Sequence, residues 1–98
     1  MNPFVLSSPF RDERIRMTRY MVIEHFARGA KARIYQRFQE KGRMLPDGLV
    51  YIDSWLEKGG DRCFQLMETN DRSLFDPWID AWKDLARFEI IELGEKPE

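Results

Sequence analysis

LVYIDSWLEKGGDRCFQLME, residues 49–68, is two runs rich in aromatic and aliphatic residues on either side of Gly59-Gly60. Leu49 to Glu57 and Asp61 to Glu68 therefore read as two strands of a hairpin closed by a tight glycine turn. Upstream, Met44-Leu45-Pro46-Asp47-Gly48 is a turn, with Pro, Asp and Gly each suited to its place. Before it, Ala30 to Lys41 reads as a helix, because Ala30, Ile34, Tyr35 and Phe38 share one face at helical spacing. Gly42 stands where a helix ends on a left-handed residue. Ala27-Arg28-Gly29 separates that helix from Thr18 to Phe26, a strand by its β-branched and aromatic content. Downstream of the hairpin, Ser73-Leu74-Phe75-Asp76 has the spacing of a capping box, with Pro77 in the first turn where it costs least. Leu74, Phe75, Trp78, Ile79, Trp82, Leu85 and Ala86 then form one broad apolar face, the strongest periodic signal in the chain. Arg87 to Leu93 is a short final strand.

The order is β-α-β-β-α-β, two strand-helix-strand units joined by a hairpin, which describes a ferredoxin-like α+β fold. Right-handed crossovers put both helices on one face of a four-stranded antiparallel sheet whose centre is the first and third strands. The domain spans residues 18–94. Residues 1–17 are expected to form an N-terminal extension, interrupted by Pro3 and Pro9, and residues 95–98 a polar tail. The extension lacks the charge order of a signal peptide, since its positive residues follow its apolar ones.

Composition sets outer bounds. The chain has 98 residues, 43% hydrophobic and 34% charged, as expected of a globular domain and not of a disordered one. A domain this small buries only roughly 60–65% of its unfolded surface, so self-association would add welcome burial. The net charge of -1 conceals an asymmetry. Residues 1–43 hold ten Lys/Arg against four Asp/Glu, and residues 44–98 hold six against thirteen. In this topology the two halves interleave, which mixes the charges over the surface. One cysteine, Cys63, and one histidine, His25, exclude an internal disulfide and a Cys/His zinc cluster within one chain, and suit a reducing cytoplasm. No run approaches the length of a membrane span. No cofactor or metal is expected.

Side-chain alternation divides the sheet into two faces. The face with Met21, Ile23, Ile52, Leu56, Phe64 and Leu66 is expected to meet the helices. The other, with Tyr20, Val22, Tyr51, Trp55 and Met67, is expected to lie open, dotted by Glu24, Asp53 and Gln65. This assignment needs a three-residue loop or a bulge in the hairpin, because a two-residue turn at Gly59-Gly60 would set Trp55 beside Phe64. An open face so apolar is rarely left bare, so a homodimer with its two sheets face to face is expected.

Between those sheets, Glu24, Asp53 and Gln65 would orient a small organic ligand, with Tyr51 and Trp55 as walls. Paired carboxylates in a dry cavity suit acid–base work or a hard cation. The plainer alternative is a buried polar network without function. Glu24 and His25 are neighbours on one strand and cannot line the same pocket. Arg43, just after the first helix, is placed to meet an anionic ligand or a partner's carboxylate, though a solvated surface charge is the simpler role. Cys63 as a nucleophile would need a base and a lowered pKa, and a small core residue is the simpler role. RNA-recognition domains share this topology. Their third strand carries glycines and aromatics that Arg62-Cys63-Phe64-Gln65-Leu66-Met67-Glu68 lacks, and the pI near 5.9 also argues against a nucleic-acid partner.

YMVIEHF (20–26), GRMLPDGL (42–49), YIDSW (51–55) and RCFQLME (62–68), with Trp78, Trp82-Lys83-Asp84-Leu85 and Phe88-Glu89, resemble domain-of-unknown-function family 3303. The resemblance runs from about Arg19 to Leu93; Pro77 and the N-terminal extension depart from it. It implies a ferredoxin-like, dimeric α/β-barrel architecture and no assigned activity. The functional expectation is thus a cytoplasmic homodimer that binds a small organic molecule, with or without acid–base chemistry. The alternative is a structural or regulatory interaction domain with no catalytic activity.

Overall fold

The computed structural model describes residues 17–97, so the expected extension, apart from Met17, and the last residue of the tail lie outside the described residues. Strand β1 is Thr18–Phe26, helix α1 Lys31–Lys41, β2 Val50–Leu56, β3 Arg62–Thr69, α2 Phe75–Trp82 and β4 Ala86–Glu92. All strand pairs are antiparallel in the order β2-β3-β1-β4. This is the expected ferredoxin-like α+β topology, with β1 and β3 central. Because β1 lies between β3 and β4, the basic and acidic halves of the chain interleave.

The helix ends follow local chemistry. Gly42 takes φ 67° and gives its N–H to the Phe38 carbonyl at 2.7 Å, a backbone state costly for any residue with a Cβ. Before α2 the cap is Asp71, not Ser73. The Asp71 carboxylate accepts from the Ser73 N–H at 3.1 Å and from its hydroxyl at 2.6 Å. One 3-10 turn, Arg72–Leu74, then leads into α2, with Pro77 in its first turn as expected. The helix stops at Trp82, so Leu85 and Ala86 bury themselves from the following turn and strand.

The core is Tyr20, Val22, Leu49, Met67, Phe75, Trp78 and Trp82. Tyr20 meets Phe75 edge-on at 5.1 Å, and Trp78 meets Phe88 likewise at 5.2 Å, the offset that aromatic quadrupoles favour.

This core corrects the assignment of sheet faces. The helices cover the face with Tyr20, Val22, Gln65 and Met67, and the face with Met21, Ile23, Phe64 and Leu66 is the outer one. Register is the reason. The glycine turn keeps the simple pairing, with Trp55 opposite Phe64 and Leu56 opposite Cys63. A bulge does occur, at Ile52 between Tyr51 and Asp53. It puts Tyr51 opposite Met67 on the helix side, while the Gly59-Gly60 register sets Asp53 opposite Leu66 on the outer side.

Candidate ligand site

Helix α1 is lightly attached, with Ile34 packed against the core. It has no buried residue; Tyr35 and Phe38 on its apolar face stay 44% and 41% exposed. What fixes it is Arg37, whose guanidinium forks onto both Asp84 carboxylate oxygens at 2.8 Å and gives a further hydrogen bond to the Ala81 carbonyl at 2.9 Å. The same bonds hold the Asp84 carboxyl down at about 2. This clip ties α1 to the end of α2 and leaves a gap beneath α1.

The gap is a cavity of about 240 Å³, partly open to solvent. Its roof is Ile34, Tyr35 and Phe38 of α1, and its rear wall is Trp78 and Trp82 of α2. Its floor is the sheet: Glu24 and Phe26 of β1, Cys63 and Gln65 of β3, Ser54 and Leu56 of β2. Arg43, from the turn after α1, closes one side. The polar groups cluster on the floor and at Arg43; the roof and rear are apolar.

Cross-strand pairing assembles that polar cluster. Glu24 sits opposite Cys63 and Val22 opposite Gln65, so Glu24, Cys63 and Gln65 share one small patch. Burial pushes the Glu24 carboxyl up from the ordinary carboxylate range to about 7, against the opposing pull of the Gln65 amide, the Arg43 charge and the Cys63 thiol. Burial and the adjacent Glu24 charge push the Cys63 thiol up to about 11. That is the opposite of what a nucleophilic cysteine needs.

Arg43 is held by its own backbone. Its carbonyl accepts the indole N–H of both Trp78 and Trp82 at 3.0 Å, and Met44 next to it takes φ 59°. The guanidinium carbon lies 3.5 Å from the Tyr51 ring centre and 5.0 Å from that of Phe38. Tyr51 is fixed in turn by a 2.7 Å hydrogen bond between its hydroxyl and that of Ser54.

Of the five residues expected around a ligand, Glu24 and Gln65 meet in this cavity and Tyr51 backs it through Arg43 and Ser54. Asp53 and Trp55 do not; the Gly59-Gly60 register sets them opposite Leu66 and Phe64 on the outer face. The cavity itself lies between sheet and helices of one chain, not between two sheets. Arg43, for which a solvated surface charge is the simpler expectation and an anionic ligand the alternative, lines the cavity, and Ser54, not among the expected site residues, joins it. The signal for Ser54 was the unmodified Gly59-Gly60 register, which sets Leu56 beside Cys63 and Ser54 beside Gln65. Among the described residues no cluster of three or more His, Cys, Asp or Glu side chains is arranged to hold a metal ion, and no helix is long and apolar enough to cross a membrane.

A family model described as "Domain of unknown function (DUF3303)" matches residues 18–92, which is the whole sheet and both helices. No curated protein and no solved structure matches the chain.

Proposed function

We propose that this protein, which belongs to the DUF3303 family, binds a small and largely apolar organic molecule in the cavity between α1 and the sheet. The observation that carries the reading is a hollow with an apolar roof and a polar floor in a 98-residue chain that has little burial to spare. Interiors normally close-pack, and departures from that rule collect at functional sites. A module with a purely structural role would gain by lowering α1 onto the sheet. Here a protonatable carboxyl occupies the floor instead, which fits pockets that fix a ligand with a few convergent polar groups.

Any acid–base chemistry on the ligand would run through Glu24. With a pKa of about 7 it holds and releases a proton near neutral pH, the range in which a general acid or base works best.

The test is a screen of small aromatic and alicyclic molecules by 1H–15N NMR. Binding in the cavity moves the indole N–H signals of Trp78 and Trp82 and leaves that of Trp55 on the outer face in place. Binders that move only Trp55 would reject the site.

A second reading has its own observation. The outer face carries Met21, Ile23, Phe64 and Leu66, with Trp55 51% exposed beside them. This favours a homodimer through that face, and in its strict form an interaction domain with no ligand. The two readings use opposite faces of one sheet and do not exclude each other. The lone thiol accords with residence in a reducing cytoplasm.

A further inference from the structure

Arg19, Arg37 and Arg62 each have a carboxylate partner: Glu68 at 3.4 Å, Asp84 at 2.8 Å and Glu57 at 3.0 Å. All three pairs are partly or largely solvated. Arg43 differs. It is half-buried in a cavity wall, yet among the described residues its guanidinium meets no carboxylate at ion-pair distance and makes no hydrogen bond. Glu24 lies near enough to feel its charge but does not pair with it.

Its surroundings fix its posture. Tyr51 lies against the guanidinium at 3.5 Å and Phe38 at 5.0 Å, which favours the cation through the faces of the rings. Stacking uses the face of a guanidinium and leaves its N–H edge free. That edge is a planar fork matched to the two oxygens of a carboxylate. The backbone bonds to Trp78 and Trp82 hold the residue in place before any ligand arrives, which lowers the ordering cost of binding.

We infer that the cavity's ligand is an organic monocarboxylate, its carboxylate forked on Arg43 and its apolar body lying under α1 against Leu56, Phe38 and Trp82. This rests on the cavity being a ligand site, as proposed above. A monoanion fits better than a phosphate ester. Among the described residues Arg43 is the one cation lining the cavity, so a second negative charge would find no described cation there and would face Glu24. The space, about 240 Å³ and partly open to solvent, suits a body of one or two rings.

The experiment compares two probes of one skeleton, 1-naphthoate and the neutral 1-naphthylmethanol, on the full chain at pH 6. Calorimetry gives affinities, and the indole signals of Trp78 and Trp82 report the site. We expect naphthoate to bind the wild-type chain at least about tenfold more tightly than the alcohol, the least that a charge-assisted hydrogen bond supplies. Arg43→Gln should remove that preference, bringing the naphthoate affinity down to that of the alcohol in the same variant. Arg43→Lys, which keeps the charge but not the fork, should fall between. Equal binding of the two probes by the wild-type chain, with both moving the indoles, would overturn the carboxylate inference and leave the cavity reading standing. If neither probe moves the indoles, both fall together. The wild-type comparison decides even if the Arg43 variants fold poorly.

Discussion

Glu24 places a carboxyl where burial favours its neutral form, and that has a consequence for stability. Its folded pKa of about 7 lies above the ordinary value of 4.5, so between those pH values the folded chain binds more protons than the unfolded one. Stability then falls as pH rises through that window, and the loss is complete above about 7. Glutamine at this position cannot ionise. Glu24→Gln should therefore match the wild type near pH 4.5 and exceed it at pH 8, by on the order of 2–3 kcal/mol. Urea unfolding of both chains at the two pH values measures this, and a gap that does not widen with pH would show that Glu24 titrates normally. Cys63 gives an independent check on the same patch. With its thiol at about 11 instead of 9.0, alkylation by iodoacetamide at pH 8 should run roughly a hundredfold slower than for an unperturbed thiol. Fast alkylation would mean that the floor of the cavity is wetter than its geometry indicates.

The cavity exists because of how two elements end. Helix α1 begins without a side-chain cap and with Lys31 and Arg33 in its first turn, where cations oppose the helix dipole. With no buried residue of its own, it depends on Arg37 reaching the end of α2. Arg37→Ala should speed amide exchange in α1 several-fold relative to the wild type, with β1 and β3 unchanged, because local opening is governed by the weakest attachments. Unchanged exchange in α1 would mean that the roof is held by something else. Element order was legible in the sequence because each element carries its own signal: aromatic and β-branched runs for the strands, the Trp78–Trp82 periodicity for α2, glycines at the turns. Which sheet face meets the helices was not. That depends on the two-residue register at Gly59-Gly60 and on Glu24 and Gln65 turning inward against the usual outward habit, while the bulge at Ile52, which turns Tyr51 to the helix side, has no glycine to mark it. Glu24 and Gln65 turn inward because they face each other, Cys63 and Arg43, and tertiary partners of this kind leave no trace in local pattern. The candidate site was therefore half legible. Glu24 and Gln65 stood out as polar residues among apolar ones, whereas Asp53 stood out for the same reason and lies on the other side.

At the scale of the whole molecule, the two sheet faces divide the work. One face takes the helices and the cavity. The other presents a strip of Met21, Ile23, Phe64 and Leu66, flanked by Trp55 and Ile91, with Arg19–Glu68, His25–Glu89 and Arg62–Glu57 toward its ends. An apolar centre with a charged periphery is the anatomy of a protein interface. Two such sheets can pack face to face about 10 Å apart, each supplying the burial that a domain of this size lacks. The wild-type chain should therefore scatter light as a dimer across a concentration series reaching down to low micromolar. Trp55→Lys sets a charge on the strip at a position already half exposed, so the fold should survive while the mass falls to that of one chain. Binding of the naphthyl probes should persist in that variant, since the cavity opens on the opposite face. A monomeric wild type would mean that the strip meets a different partner, and loss of probe binding on dissociation would mean that the cavity depends on the dimer after all.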